Sequence, residues 1–398
     1  MIQSSALPSR FRSLDAWRGV CALLVVLFHA PTLHVFKDAA GFANLQLCVD
    51  FFFVLSGFVI SHAYRGRLKQ GSDGLKFMLA RLQRLWPLHV VVLAACVILE
   101  LMKLGYGYAN PNFGLDAAPF SEGRTATEIV TNLLFLQAFG LHSALTWNGP
   151  SWSIAVEFWT SAIFALAVLF APRGRNWVFL ALVVSSAVVL AIVSPTTLFV
   201  SHSWSLFRCL VGFFTGCLVY DLRLRFPAPA LPFGAAEIIC AVAAAAFVVL
   251  TPQGPAHLAA PLVFAPLIYV FSFERGLLSN VLKTNIPQAL GRWSFSIYMT
   301  HMLIFQLMRT FGALAEHKFG VNAVVFHNGD KLVMIGTGWT ALFATLAIIA
   351  LVVVPTGAFC RHFIEGPLAR LGASRKNEQS RLAARIRRFT QEPRAARA

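Results

Sequence analysis

The chain has 398 residues, 57% hydrophobic and 13% charged, with 36 phenylalanines and a formal net charge of +16. A soluble domain carries about 25% charged residues, so this composition excludes an ordinary water-soluble enzyme. The apolar residues gather in runs close to the roughly 20 that match a bilayer core, where backbone groups must be satisfied within helices. The expected fold is all-α: a polytopic membrane bundle of about ten transmembrane helices.

Ten apolar segments are expected to span, at 14–34, 46–64, 86–105, 150–171, 177–196, 203–221, 235–251, 257–273, 291–311 and 332–360. An eleventh, "TEIVTNLLFLQAFGLH" at 127–142, is too short to cross comfortably and is expected to be re-entrant or interfacial. With both termini in the cytosol, most Lys and Arg fall on the cytosolic side. The outer segments then hold only Lys37, Arg124, Lys318 and Lys331. A full crossing by 127–142 would turn "PRGRN", "RLRF" and the basic tail outward, against that rule. The positive charge is thus mostly topology, and no nucleic-acid partner is expected. The chain divides into a membrane domain, 1–370, and a basic cytosolic tail, 371–398, that either contacts anionic lipid headgroups or is simply solvated. The first apolar segment has no small-residue cleavage site and continues into the protein. Seven cysteines without a CxxC pair read as small buried hydrophobes, and the dispersed histidines suggest no metal site.

Ionisable residues deep in a span are functional candidates. In "RGVCALLVVLFH", Arg18 and His29 are 11 residues apart. That puts them on nearly one helix face, roughly 16 Å apart along the axis. Asp15 lies near the same face. A snorkelling arginine and a packed histidine are the plainer alternative. The second span, "VDFFFVLSGFVIS", carries Asp50 near its outer end. Its Ser56-Gly57 notch suits helix packing or a close ligand. In "ARLQRLWPLHVV", Arg81 and Arg84 share a helix face at the cytosolic edge, with Trp86 as an interface anchor and Pro87 starting the third span. Paired guanidiniums suit phosphate, although cytosolic arginines also arise from topology alone. In "NGPSWSIAVEFW", Ser153 and Glu157 share a face in the outer half of the membrane. A buried carboxylate there needs a partner: His29 would serve, or a purely structural interhelical hydrogen bond. In "LGRWSFSIYMTH", Ser294, Tyr298 and His301 line one face.

Read in order, "SLDAWRGVCALLVVLFH", "VDFFFVLSGFVIS", "RLQRLWP", "PSWSIAVEF" and "LGRWSFSIYMTH" resemble the acyltransferase-3 family of integral membrane O-acyltransferases. The likeness runs from about residue 13 to 301 and loosely to about 370. It implies a ten-helix membrane domain in the bacterial inner membrane. It also implies transfer of an acyl group, usually acetyl, from cytosolic acyl-CoA to a hydroxyl of a cell-surface or lipid-linked glycan, with acyl-CoA as co-substrate and no bound cofactor. The family's arginine-to-histidine motif falls on Arg18 and His29. Its paired arginines fall on Arg81 and Arg84, and its tryptophan-serine-to-glutamate motif on Trp152, Ser153 and Glu157. Where the family has "SYSIYLLH" this chain has "SFSIYMTH", so no role for the first tyrosine hydroxyl carries over.

Acyl transfer needs a base, phosphate anchoring and an oxyanion donor. The expected mechanism has Arg81 and Arg84, with Arg18 as a further candidate, holding coenzyme A phosphates. His29 is the base, Glu157 orients it, and Ser153, Tyr298 or a backbone amide binds the oxyanion. Direct attack is simpler than a covalent acyl-histidine relay. A transporter or flippase for a glycan or small molecule is the competing class.

Overall fold

The computed structural model describes residues 8, 10–110, 118–121, 123–195, 200–227 and 230–367; the tail at 371–398 lies outside the described residues. The helices are α1 Arg12–His29, α2 Cys48–Tyr64, α3 Gly71–Ala109, α4 Ala126–Leu133, α5 Ser151–Phe170, α6 Arg175–Val193, α7 Ser205–Arg225, α8 Phe233–Leu250, α9 Ala260–Phe271, α10 Leu277–Leu282 and α11 Asn285–Phe319. A hairpin follows, β1 Val324–His327 and β2 Asp330–Val333, and then α12 Gly338–Ile348 and α13 Val354–Cys360. Two π-helical turns, Ile349–Val353 and Arg361–Glu365, join and extend α12 and α13, so the helix runs unbroken from Gly338 to Glu365.

Among the described residues, seven helical segments are long and apolar enough to cross a bilayer: Phe42–Tyr64, α3, α5, α6, α7, α8 and Gly338–Glu365. Pro255–Phe271 is apolar but shorter. Helices α1 and α11 carry Asp15, Arg18, Arg292 and Arg309 and are not among the seven.

The helix of the third span begins well before its apolar run, after a short connection at 65–70. Helix α3 begins at Gly71, where Gln70 and Asp73 form a capping box, and runs 39 residues. Nothing in "LKFMLARLQRLW" stops a helix, because most of its residues are strong helix formers. Arg81 and Arg84 are therefore interior helix residues rather than loop residues, and Pro87 sits within the helix instead of starting it. The segment at 127–142 contains only the eight-residue α4, about 12 Å long by helix rise, and does not span. From Phe135 to Trp147 the chain is irregular; both of these buried aromatics have positive φ, 57° and 45°.

Without a hydrophobic drive between helices in lipid, close packing at small residues holds such bundles together. Helix α1 lies along α11 and α2 along α7. A Cβ on Gly19 would sit 2.7 Å from the Gly291 nitrogen, and one on Gly57 would collide with the Phe213 carbonyl oxygen. Gly212 and Gly216, a GxxxG pair on α7, meet Phe53 and Val54 of α2 in the same way. All seven cysteines are free, and six are buried.

Candidate active site

Helices α1, α2, α3, α5 and α11 line a cavity of about 100 Å³. Arg18 reaches it from α1, Ser56 from α2, Arg81 and Arg84 from α3, Ser153 and Glu157 from α5, and Ser294 and Tyr298 from α11. Residues spread over 280 positions of sequence thus meet in one volume, because the glycine contacts bring their helices to backbone distance.

The cavity's charges are unevenly matched. Arg81 donates to the Glu157 carboxylate, which also accepts from the Ser56 hydroxyl. Arg18 spends its guanidinium on Ser294 Oγ (2.9 Å), the Gly291 carbonyl (3.0 Å) and Asp15 (3.2 Å). Arg84 lines the cavity as an exposed residue and forms no hydrogen bond or ion pair among the described residues. An arginine stays charged, so Arg84 is a cation lining the cavity beside Arg18 and Arg81, within electrostatic reach of the Glu157 and Glu365 carboxylates but bonded to neither.

At the other end of the cavity two hydroxyls meet: Ser153 Oγ lies 2.9 Å from Tyr298 Oη. Both can donate to the Pro150 carbonyl, at 3.1 and 3.0 Å. The start of α5 is clipped to α11 there, since Asn148 donates to the Met299 carbonyl at 3.0 Å. Only one hydroxyl hydrogen is needed at Pro150, so the other can turn to a new acceptor.

His29 does not line this cavity. It sits one layer further along, paired with His301. His29 Nδ1 lies 2.9 Å from the Val25 carbonyl, and His301 Nδ1 lies 2.6 Å from the Tyr298 carbonyl. Carbonyls only accept, so each Nδ1 carries the proton in these bonds. His301 Nε2 then faces His29 Nδ1 at 3.3 Å, and His29 Nε2 keeps a free lone pair. His301 is fully buried, whereas His29 is partly exposed.

Several sequence expectations are redrawn by this geometry. Arg18 and His29 do face one neighbour, α11, as their spacing implies. Glu157 does not pair with His29: its partners are Arg81 and Ser56, because α3 carries Arg81 into the bundle at the depth of Glu157. Asp50 is committed elsewhere, in a buried two-pronged pair with Arg208 at 2.9 and 2.7 Å. The Arg208 guanidinium also lies 5.4 Å from the Trp152 ring, which takes both residues out of the cavity wall. Asp15 binds Arg10 and Arg18. Sequence reasoning missed Arg208, which the intramembrane-charge rule flags by itself, and the GxxxG spacing of Gly212 and Gly216.

Comparison with known proteins places the chain in a family. The acyltransferase-3 family model, described as an acyltransferase domain, matches residues 11–357. Protein 2 in the picA locus of Rhizobium radiobacter is 37% identical over 166 residues, 41% of this chain and 84% of that protein. A Komagataeibacter xylinus protein named as a membrane-bound transacylase, BcsY, is 26% identical over 317 residues, 74% of this chain and 72% of its own. The acyltransferase MdmB of Streptomyces mycarofaciens is 25% identical over 325 residues, 75% of this chain and 79% of its own. No solved structure matches. The chain therefore belongs to the acyltransferase-3 family and is a multi-pass membrane enzyme that transfers acyl groups.

Proposed function

We propose that this enzyme moves an acetyl group from cytosolic acetyl-CoA to a hydroxyl of a cell-surface or lipid-linked glycan, in the inner membrane of a bacterium. The observation that carries the reading is Arg84: a guanidinium with no hydrogen bond or ion pair among the described residues, lining a cavity that already holds Arg18 and Arg81. Such a cavity favours an extended anionic ligand, and the phosphates of coenzyme A with their pantetheine arm match it. In this reading ten helices span, namely α1, α2, α3, α5, α6, α7, α8, Pro255–Phe271, α11 and Gly338–Glu365. Both termini then lie in the cytosol, on the basic side of the bundle.

Arg84 and Arg18 hold the donor phosphates. Glu157 holds Arg81 in place and limits the positive charge that an empty cavity must bear. The thioester reaches the Ser153–Tyr298 end. The acceptor hydroxyl loses its proton to His29 Nε2 as its oxygen bonds to the thioester carbonyl carbon. The oxyanion takes a hydrogen bond from Ser153 or Tyr298. The C–S bond then breaks, and the thiolate takes the proton from the imidazolium to leave as coenzyme A thiol.

The test uses membranes containing the full chain, acetyl-CoA labelled in the acetyl group, and glycan extracted from the producing cells. Label in the glycan, with one thiol released per acetyl transferred, supports acyl transfer. Movement of glycan or solute without thiol release would replace it with the transporter reading.

A further inference from the structure

A second cavity, of about 650 Å³, opens at the His29 end of the bundle. Three chain segments wall it: the loop after α1 with Lys37 and Asp38, the residues after α8 around Gln253, and the tip of the β1–β2 hairpin with His327, Asn328 and Asp330. Its volume falls within the roughly 300–1,000 Å³ usual for small-molecule sites.

This cavity is built rather than incidental. The hairpin is fastened to the α1 loop across about 300 residues of sequence. Val333 N donates to the Pro31 carbonyl at 2.7 Å, and Val35 N donates to the Gly338 carbonyl at 3.1 Å. The Asn328-Gly329 turn, with φ of 50° and 84°, has the backbone of a tight hairpin turn and sets His327 and Asn328 side by side. His327 Nε2 lies 2.9 Å from both Asp38 oxygens, and Asn328 Nδ2 lies 3.2 Å from one. Asp38 is thus oriented from one side while its side chain stays 59% exposed. On the wall, Asn44 uses its amide hydrogens on the carbonyls of Val248 and Thr251, at 3.0 and 2.7 Å. Those two acceptors settle which end of the amide is which, and Asn44 Oδ1 is buried without a donor among the described residues.

The chemistry is the reverse of the guanidinium cavity. Lys37 stands against Asp330 at 4.0 Å and the His327 ring against Asp38, so two carboxylates face one ammonium. What remains are carboxylate and amide groups, which bond hydroxyls, beside the flat rings of Phe28 and Phe42. Phe28 connects this cavity to the proposed base, because its ring centroid lies 4.7 Å from that of His29. Helix α1 therefore carries Arg18 on one cavity and Phe28 on the other, with His29 next to Phe28.

We propose that this second cavity binds the acceptor: an uncharged, hydroxyl-rich sugar unit, held by Asp38, Asn328 and Gln253 and delivered to His29 from the side opposite the donor. The inference rests on the acyl-transfer reading above.

The experiment titrates the extracted glycan against fixed labelled acetyl-CoA, using wild-type chain, Asp38→Asn and Gln253→Ala. Each variant is expected to raise the glycan concentration for half-maximal transfer at least tenfold, with the acetyl-CoA KM unchanged. Gln253 forms no hydrogen bond among the described residues, so its variant keeps the fold even if Asp38→Asn loosens the hairpin. Half-saturation unchanged in both variants, with wild-type transfer intact, overturns the acceptor site alone. Absence of transfer and thiol release in the wild type overturns the acyl-transfer reading and the site with it.

Discussion

His301 Nε2 lies 3.3 Å from Nδ1 of His29, and the pair differs in exposure: His301 is sealed in the bundle, while His29 reaches open space. Each ring is held at Nδ1 by a carbonyl one turn back on its own helix. In the proposed mechanism His29 is the proton acceptor and His301 the group that sets its tautomer and angle.

Replacing the base should cost more than replacing its positioner. His29→Ala is expected to lower kcat by about 10²–10⁴-fold, the usual worth of general base catalysis. His301→Ala removes one hydrogen bond, worth about 1 kcal/mol, and should lower kcat roughly fivefold to tenfold. Neither should move the acetyl-CoA KM, and His301→Gln should recover part of the loss. Steady-state kinetics in detergent or membranes separates the cases; equal losses in the two alanine variants would make His301 a proton carrier instead.

Arg84 should act on donor binding. A hydrogen bond to a charged group contributes about 1.5–3 kcal/mol, so Arg84→Ala should raise the acetyl-CoA KM at least tenfold with less effect on kcat. Arg84→Lys keeps the charge but not the fork and should fall between. A KM unchanged in Arg84→Ala removes it from the donor site.

Arg81 and Glu157 should be coupled. Removing either leaves the other as an unmatched charge among buried groups, so each single variant should be more damaging than independence predicts. In a double-mutant cycle of Arg81→Met and Glu157→Gln, read as log kcat/KM, the coupling should lie in the range of about 0.5–3 kcal/mol. Additive effects would mean that the two side chains act apart.

The Asp50–Arg208 pair should matter for folding rather than chemistry. Asp50→Ala strands a buried guanidinium, a change that costs about 3–5 kcal/mol. The variant should melt at lower temperature in detergent and accumulate less. Whatever protein does fold should keep the wild-type acetyl-CoA KM, measured per folded molecule.

The apolar runs made the helices legible before any coordinates, since a bilayer leaves the backbone no other way to satisfy its own polar groups. Arg18, His29 and Glu157 stood out for a related reason: charge is costly in lipid, so a charged residue inside an apolar run marks itself. The short 127–142 segment could also be read from its length. Two signals were present and not used: GxxxG at Gly212–Gly216, which predicts the close α2–α7 contact, and Asn328-Gly329, which predicts the hairpin.

Partnership was a different matter. The sequence leaves Glu157 a choice between His29 and a structural interhelical bond, and it meets Arg81, because α3 starts at Gly71 and brings that arginine into the bundle interior. Asp50 found Arg208, 158 residues away, and His29 found His301, 272 residues away. Spacing along one helix determines which face a side chain occupies, and the residues alone decide that. Which other helix occupies that face depends on backbone contacts at Gly19, Gly57, Gly212, Gly216 and Gly291, where a single Cβ would push the helices apart. Those contacts exist only once the chain has folded, so the cavities and their pairings belong to the assembled bundle and not to any one span.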